Sequence, residues 1–220
     1  MTPEPANFRI LQQDAQLIQI VDAALADATR RAGPHLVCRP GCTQCCYGAF
    51  AIGPLDALRL RTAMTEMAIS DPERAAAIAA RASQYIEEFG ADFPGDRATG
   101  ILGVRDEDQA AFEDFANDAP CPALNLENGL CEVYTARPMT CRVFGPPVRA
   151  AAGEEEGLSV CELCFTEAIP EEIAAAEMKV PHEEEASVLA LLAEEQPASS
   201  GDTIIAYCLT LPSPVPPPSS

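Results

Sequence analysis

The 220-residue sequence is poor in basic residues, in histidine and in long apolar runs. Lysine and arginine together number 14 against 34 acidic residues, so the formal net charge is −20, and there are two histidines. Such a chain repels nucleic acid and anionic membranes, and we expect neither as a partner. The sequence contains no window of about 18 apolar residues, the length that a membrane-spanning helix needs. The N-terminus lacks a basic leader followed by an apolar run. We therefore expect a cytoplasmic protein.

The negative charge is concentrated in the second half of the chain. Residues 1–100 carry 12 acidic and 9 basic side chains, whereas residues 101–220 carry 22 and 5. Solubility is the ordinary explanation of such acidity. A docking face for a basic protein partner is the alternative.

Cysteine, in contrast, is abundant, with ten residues in all and four of them in the stretch LVCRPGCTQCCYGAF at residues 36–50. Nearly half of the chain is apolar, so a core can form without cross-links. In a reducing cytosol, closely spaced cysteines indicate metal binding or catalysis more often than disulfides.

The apolar periodicity predicts a mainly α-helical fold. One helix is expected over residues 7–31, with Leu17, Val21 and Leu25 on one stripe, and Leu11 and Ile18 at heptad spacing from Leu25. A second is expected to start near Pro54 and to bury Leu55, Leu58, Met64 and Met67. A capping box of Ser70 and Glu73 predicts the start of a third, which ends near Phe89.

Further elements are predicted from shorter signals. Acidic helical pieces are expected over residues 106–118, 170–179 and 182–195, and a helical turn from Pro138 to Phe144. Asn128-Gly129 between two short apolar runs predicts a β-hairpin. Residues 203–211 fit either a strand or a helix. The predicted fold class is therefore α-helical with a small β-hairpin and an irregular cysteine-rich metal-binding centre.

The predicted domain organisation follows from these signals. We expect an N-terminal helix at 1–35, a cysteine-cluster domain at 36–165 with a helical insert at about 54–117, an acidic helical extension at 166–211 and a disordered Pro/Ser tail at 212–220.

The first four cysteines follow the pattern C-x3-C-x2-C-C. Thiolates at this spacing can converge on one ion if the backbone turns sharply, and Gly41 allows such a turn. Cys45 and Cys46 are adjacent, and consecutive side chains tend to point apart. Either they serve two metals, or one binds a metal while the other packs or reacts.

The remaining cysteines fall into a second group and a pair. Cys121, Cys131 and Cys141 flank the predicted hairpin, which we expect to join the loop at 36–50 in one cysteine-lined centre. Burial as apolar side chains is the alternative for these three. Cys161 and Cys164 form a C-x2-C pair. Cys208 stands apart from the other cysteines, and we expect it to be buried in the core.

The segments CRPGCTQCC and CPALNLENGLCEVYTARPMTCRVFG, followed by Cys161, resemble a bacterial CxxCxxCC cysteine-cluster family described as zinc- or iron-chelating. The resemblance spans residues 38–161, although the first cysteine interval here is three residues where the family has two. It implies eight metal ligands, namely Cys38, Cys42, Cys45, Cys46, Cys121, Cys131, Cys141 and Cys161.

The same resemblance includes three side chains that are candidates to bind the metal centre from outside. Arg137 and Arg142 could offset the negative charge of a four-thiolate site and donate hydrogen bonds to sulfur. Tyr134 could donate its hydroxyl in the same way. Ordinary pairing of the arginines with surface acids is the alternative.

Three enzyme classes share part of this cysteine pattern. The C-x3-C-x2-C pattern coincides with that of radical S-adenosylmethionine enzymes, but Gln44 replaces their usual aromatic residue and no strand–helix repeat is present. Flagellin lysine methylases share a similar cysteine cluster, so a methyltransferase-like activity stays as an alternative, although no glycine-rich loop marks a cofactor pocket. Cys161 and Cys164 lack the βαβ context of a thioredoxin-like pair.

We therefore predict a cysteine-ligated metal protein that is not an enzyme on its own. An iron–sulfur cluster with a redox or electron-transfer role is preferred slightly over zinc. A structural zinc site that supports an interaction surface is the alternative.

Overall fold

The computed structural model describes residues 6–149, 157–196 and 201–211. In these ranges the chain is mainly α-helical, as the sequence predicted. The helices are α1 (Ala6–Ala32), α2 (Pro54–Ser70), α3 (Pro72–Phe89), α4 (Asp106–Glu113), α5 (Met139–Val143), α6 (Pro170–Ala175), α7 (His182–Glu195) and α8 (Ile205–Leu209). None of the helices in the described ranges is long and apolar enough to cross a membrane.

Short strands form antiparallel pairs between these helices. The strands are β1 (Ala51–Ile52), β2 (Gly95–Asp96), β3 (Ile101–Leu102), β4 (Leu124–Asn125), β5 (Leu130–Cys131), β6 (Val148–Arg149), β7 (Leu158–Ser159) and β8 (Thr203–Ile204). β1 pairs with β8, β2 with β3, β4 with β5 and β6 with β7.

The chain forms two compact units, each built from two separate stretches. Unit 1 comprises Met1–Cys45 and Arg137–Ser200, and unit 2 comprises Cys46–Ala136 and Gly201–Ser220. The predicted cysteine-cluster segment, residues 36–165, contributes to both units. The predicted linear boundaries stay a prediction, and the tail at 212–220 lies outside the described residues.

Unit 1 is organised around α1, which packs against α5, α6 and α7. Leu17 and Val21 are fully buried on it, as predicted, together with Ile10 and Ala28. These positions recur at intervals of four and seven residues along one helix face. Leu25 is half-buried beside this stripe.

Unit 2 is organised around α2, α3 and α8, which contact one another. Leu55 and Met64 of α2 are buried, as predicted, whereas Leu58 and Met67 are only partly buried. Leu60 is fully buried in α2.

An aromatic cluster continues the core of unit 2. Tyr85, Phe93 and Phe115 are buried in it. The ring of Phe93 meets the ring of Phe115 edge-on, with 5.8 Å between the ring centroids. The centroid of the Tyr207 ring in α8 lies 5.0 Å from that of Phe93. Contacts of this kind stabilise a core beyond the area that they bury.

The predicted cap of α3 is wrong by one residue. The Asp71 side chain, not Ser70, accepts a hydrogen bond from the backbone N–H of Arg74 at 3.2 Å. Ser70 is the last residue of α2, and its hydroxyl donates to the Glu66 carbonyl at 3.0 Å. Because α2 continues through Ser70, its side chain is committed to that helix, and Asp71 is free to cap the next.

The predicted hairpin is confirmed. Leu124 lies opposite Cys131 and Asn125 opposite Leu130, and Gly129 has the positive φ of 71° that the turn requires. The ambiguous stretch at 203–211 contains both kinds of structure. Thr203–Ile204 is strand β8, and the helix α8 follows directly.

Candidate metal centre

The loop before Cys45 turns sharply, as the sequence predicted. Gly41 has a φ of 88°, and the backbone N–H of Cys42 donates to the Arg39 carbonyl at 2.9 Å. A 3₁₀ turn at Gln44–Cys46 follows directly. Two successive turns within nine residues bring cysteines of this loop to one side of the chain.

A cavity in unit 1 is lined by cysteines from two distant segments. The loop supplies three of them and the C-x2-C pair supplies two. The backbone N–H of Cys164 donates to the Cys161 carbonyl at 2.8 Å, so this pair lies on a tight turn. The five cysteines of the cavity are Cys38, Cys42, Cys45, Cys161 and Cys164.

The inner side of the cavity rests on a small apolar cluster. Cys161 and Cys164 are buried together with Phe165, Ala32 and Ala176. The Phe165 backbone has a positive φ of 58°, which is strained for an aromatic residue. Its N–H donates to the His35 carbonyl at 2.9 Å, and its ring stacks on the imidazole of His35. These contacts fix the C-x2-C turn to the end of α1.

Two thiols of this cavity have a raised pKa, chiefly because they are partly buried. Cys38 is exposed along one side, yet partial burial raises the pKa of its thiol, and the neighbouring thiols of Cys42 and Cys45 raise it further. Burial also raises the pKa of Cys161, opposed by a hydrogen bond from the backbone N–H of Leu163. Thiols with a raised pKa stay protonated until a metal cation binds to sulfur and displaces the protons.

The donor set fits the metals that cysteine-rich sites take. Thiolates are soft ligands that bind zinc and iron–sulfur clusters. Within the described ranges, no three cysteine, histidine or carboxylate side chains stand in an arrangement that would hold an ion as they are. The five cysteines surround a common space, and binding would complete their arrangement, as in metal sites that form together with the local fold.

Unit 2 gathers a second group of cysteines around the hairpin. The backbone N–H of Cys121 donates to the Cys46 carbonyl at 2.8 Å, and the Leu124 N–H donates to the Cys121 carbonyl at 2.9 Å. Leu124 in turn pairs with Cys131. These backbone bonds join Cys46 to the hairpin, but Cys46, Cys121 and Cys131 are not among the described residues that line the cavity, and one centre shared by the loop and hairpin cysteines stays a prediction.

The two adjacent cysteines belong to different units, since Cys45 ends the first stretch of unit 1 and Cys46 begins unit 2. That the two do not serve one metal stays a prediction. Cys141 lies half-buried on α5 and is not among the described residues that line the cavity. Cys208 is fully buried in α8, as predicted.

The predicted arginines lie beside an acidic residue of α1. The Arg142 side chain is 1% exposed, and its Nη1 lies 2.7 Å from Oδ1 of Asp22. Its Nε donates to the Arg137 carbonyl at 3.2 Å, and Arg137 Nη2 lies 3.8 Å from the same Asp22 oxygen. Tyr134 is exposed in a 3₁₀ turn of unit 2. Donation from these three side chains to a metal centre stays a prediction.

Sequence reasoning left Cys164 without a role, although it lines the cavity as Cys161 does. Its C-x2-C spacing from Cys161 was the available signal. The sequence also contained no signal for the exposed apolar residues that line the cavity, Val37, Phe144 and Leu163.

Comparison with known proteins places these residues in a family. No curated protein and no solved structure matches the chain. The family model "CxxCxxCC: Putative zinc- or iron-chelating domain" matches residues 37–164, from the start of the cysteine loop to the last cysteine of the cavity. This is more than half of the sequence, and the chain therefore belongs to the CxxCxxCC family of zinc- or iron-chelating domains.

Proposed function

We propose that the chain holds an iron–sulfur cluster in the cysteine-lined cavity of unit 1 and acts as a cytoplasmic electron-transfer or redox protein. The observation that carries this proposal is the gathering of five thiols around one space. Four cysteine ligands are the usual requirement of such a cluster. The group would supply one-electron chemistry when bound.

The placement of the cavity favours electron transfer over a purely structural metal. Cys38 is exposed, whereas Cys161 and Cys164 are buried, so one side of the cysteine group faces solvent and the other rests on apolar side chains. A structural zinc ion needs no contact with solvent, because it only ties segments together. A redox centre must approach the surface to exchange electrons with a partner.

The residues of this chain have separate tasks in that function. The cysteines of the two segments would bind the group and release their protons as they do so. Phe165 and Ala176 exclude water from the inner side, and such exclusion is one of the properties that set a reduction potential. The pair of Arg142 with Asp22 secures α5 to α1 within the same unit.

Metal analysis of anaerobically purified protein tests the proposal. We expect a brown protein that contains iron and acid-labile sulfide in similar amounts and loses its visible absorption on oxidation. A colourless protein with one zinc per chain and no sulfide would contradict the proposal and support a structural zinc module instead.

A further inference from the structure

Three of the residues that line the cysteine-lined cavity are exposed apolar side chains. Val37, Phe144 and Leu163 are 42%, 43% and 44% exposed, and each of them lines the cavity. We call these three residues the apolar collar. They lie on three separate segments of unit 1, next to Cys38, Gly145 and Cys164 respectively.

Single exposed apolar residues are ordinary on a protein surface. A group of three that lines one functional cavity is less usual. Each side chain leaves apolar area exposed to water, and a bound partner could cover that area. Small apolar centres with polar rims are typical of protein–protein interfaces. Electron-transfer complexes use interfaces at the small end of the size range.

The chain segment that carries Leu163, one member of the apolar collar, is acidic. Glu162 lies between two cavity residues, and its carboxylate pairs with the side-chain amide of Gln44, which also lines the cavity. The segment continues with three more exposed acids and no base, namely Glu167, Glu171 and Glu172. Arg39, next to Cys38, is an exposed basic residue of the loop. Thiolates that bind a metal add further negative charge to this region.

We propose that the apolar collar is the docking surface for a small basic electron-transfer protein. The inference rests on the proposed function and names the kind of partner that serves it. The apolar collar covers the partner's contact area and excludes water, while the surrounding carboxylates attract a positive surface and orient it. In the complex one electron passes between the two centres, so that one is oxidised and the other reduced, and no bond is made or broken.

Binding of a lysine-rich c-type cytochrome to the anaerobically purified chain tests the inference. Both proteins are kept oxidised, so that calorimetry or NMR titration measures association alone. Phe144→Ser and Leu163→Ser should each raise the dissociation constant by about fivefold, the effect of losing one well-packed interface side chain. Glu162→Gln with Glu167→Gln should weaken binding by about threefold at low salt and reduce its salt dependence.

Matched variants separate the apolar collar from general surface effects. Ile20→Ser removes an apolar residue of 44% exposure on α1, and Glu194→Gln removes an exposed acid of α7. Neither should change the dissociation constant, and acetylation of the cytochrome lysines should abolish binding.

Other results would overturn the inference. These are no binding by the intact chain, equal effects of the collar and control variants, or equal binding of the acetylated cytochrome. Self-association of the chain that Phe144→Ser abolishes would instead assign the surface to a second copy. Iron and sulfide are measured in the same samples, so that loss of docking is distinguished from loss of the centre.

Discussion

The aromatic core of unit 2 and the cysteine-lined cavity of unit 1 hold their surroundings together by different means. In unit 2, Tyr85, Phe93 and Phe115 bury large rings against one another. In unit 1, the segments that carry Cys42 and Cys161 meet around a space in which cysteines make up half of the ten lining residues. The first region is stabilised by apolar burial. The second contains donors that repel one another once ionised, so a bound cation should stabilise it most.

The same residue type shows this difference on a small scale. Cys208 in unit 2 is fully buried, and burial raises the pKa of its thiol to about 11. It behaves as a small apolar side chain. Cys38 in unit 1 also has a raised pKa, but neighbouring thiols contribute to that shift. A cysteine among other cysteines is a potential ligand, whereas a cysteine among apolar side chains is part of the core.

Loss of one cavity thiol should have the largest effect. Cys42→Ser should lower the metal content at least about tenfold, because it removes a donor from the group that surrounds the cavity. Amide hydrogen exchange should then increase at residues 36–45 and 161–165 while α2 and α3 stay protected. Cys208→Ser is the control and should retain its metal. Equal metal loss from both variants would mean that the ligands have been assigned wrongly.

Truncation in the aromatic core should lower the stability of the protein and leave its metal content unchanged. Phe93→Ala should lower the free energy of unfolding by about 3–4 kcal/mol, since it leaves a cavity among buried rings. Its metal content should stay at the wild-type value. Leu126→Ala, at a 64% exposed position of unit 2, should change the free energy by less than about 0.5 kcal/mol. Chemical denaturation with metal analysis of the folded protein measures both quantities, and metal loss from Phe93→Ala would undo the distinction between the two regions.

Alkaline pH should weaken unit 2 through Cys208. Burial raises the pKa of this thiol from 9.0 to about 11, with a further increase from Asp56 and a decrease from Arg61. The folded state therefore keeps a proton that the unfolded state loses, and this stabilisation, complete below pH 9, is lost as the pH rises towards 11. Two pKa units correspond to about 3 kcal/mol.

Cys208→Ala removes the titrating thiol and is compared with the parent protein. The difference between their unfolding free energies should change by about 2 kcal/mol between pH 9 and pH 11. Denaturation curves across this range measure it. Parallel pH profiles for the two proteins would show that Cys208 makes no such contribution.

The smallest effect is expected at the buried arginine of unit 1. Arg142→Lys removes the Nε that donates to the Arg137 carbonyl and should lower the free energy of unfolding by about 1–2 kcal/mol. Arg149→Lys is matched to it, since Arg149 pairs with Glu177 at 3.0 Å but is 62% exposed. That control should lose less than about 0.5 kcal/mol. If the free energy of unfolding falls less for Arg142→Lys than for Arg149→Lys, burial does not determine the contribution of these arginines.

Local signals in the sequence predicted much of the fold. Leu17 and Val21 identified the buried face of α1, and Asn128-Gly129 identified the hairpin, because each depends on residues close in sequence. The cap of α3 was placed one residue early, since Ser70 and Asp71 are both good caps and only the end of α2 distinguishes them.

Long-range grouping was harder to predict. The spacing of Cys38, Cys42 and Cys45 indicated a metal site, but not that Cys164 would join it. That association depends on how Phe165 contacts the end of α1 through His35. No local pattern contains this contact. The apolar collar was missed for the same reason, because its three members are adjacent only after folding.

The division of each unit between two stretches has a consequence for synthesis on the ribosome. Cys38, Cys42 and Cys45 emerge early, but Cys161 and Cys164 follow only after all of the first stretch of unit 2 has been translated. At 5–20 residues per second, that interval lasts on the order of ten seconds. During this time Cys38, Cys42 and Cys45 lack the two cysteines that complete the cavity. The nascent chain must therefore be kept reduced. A metal can be bound in the cavity only late in the maturation of the chain.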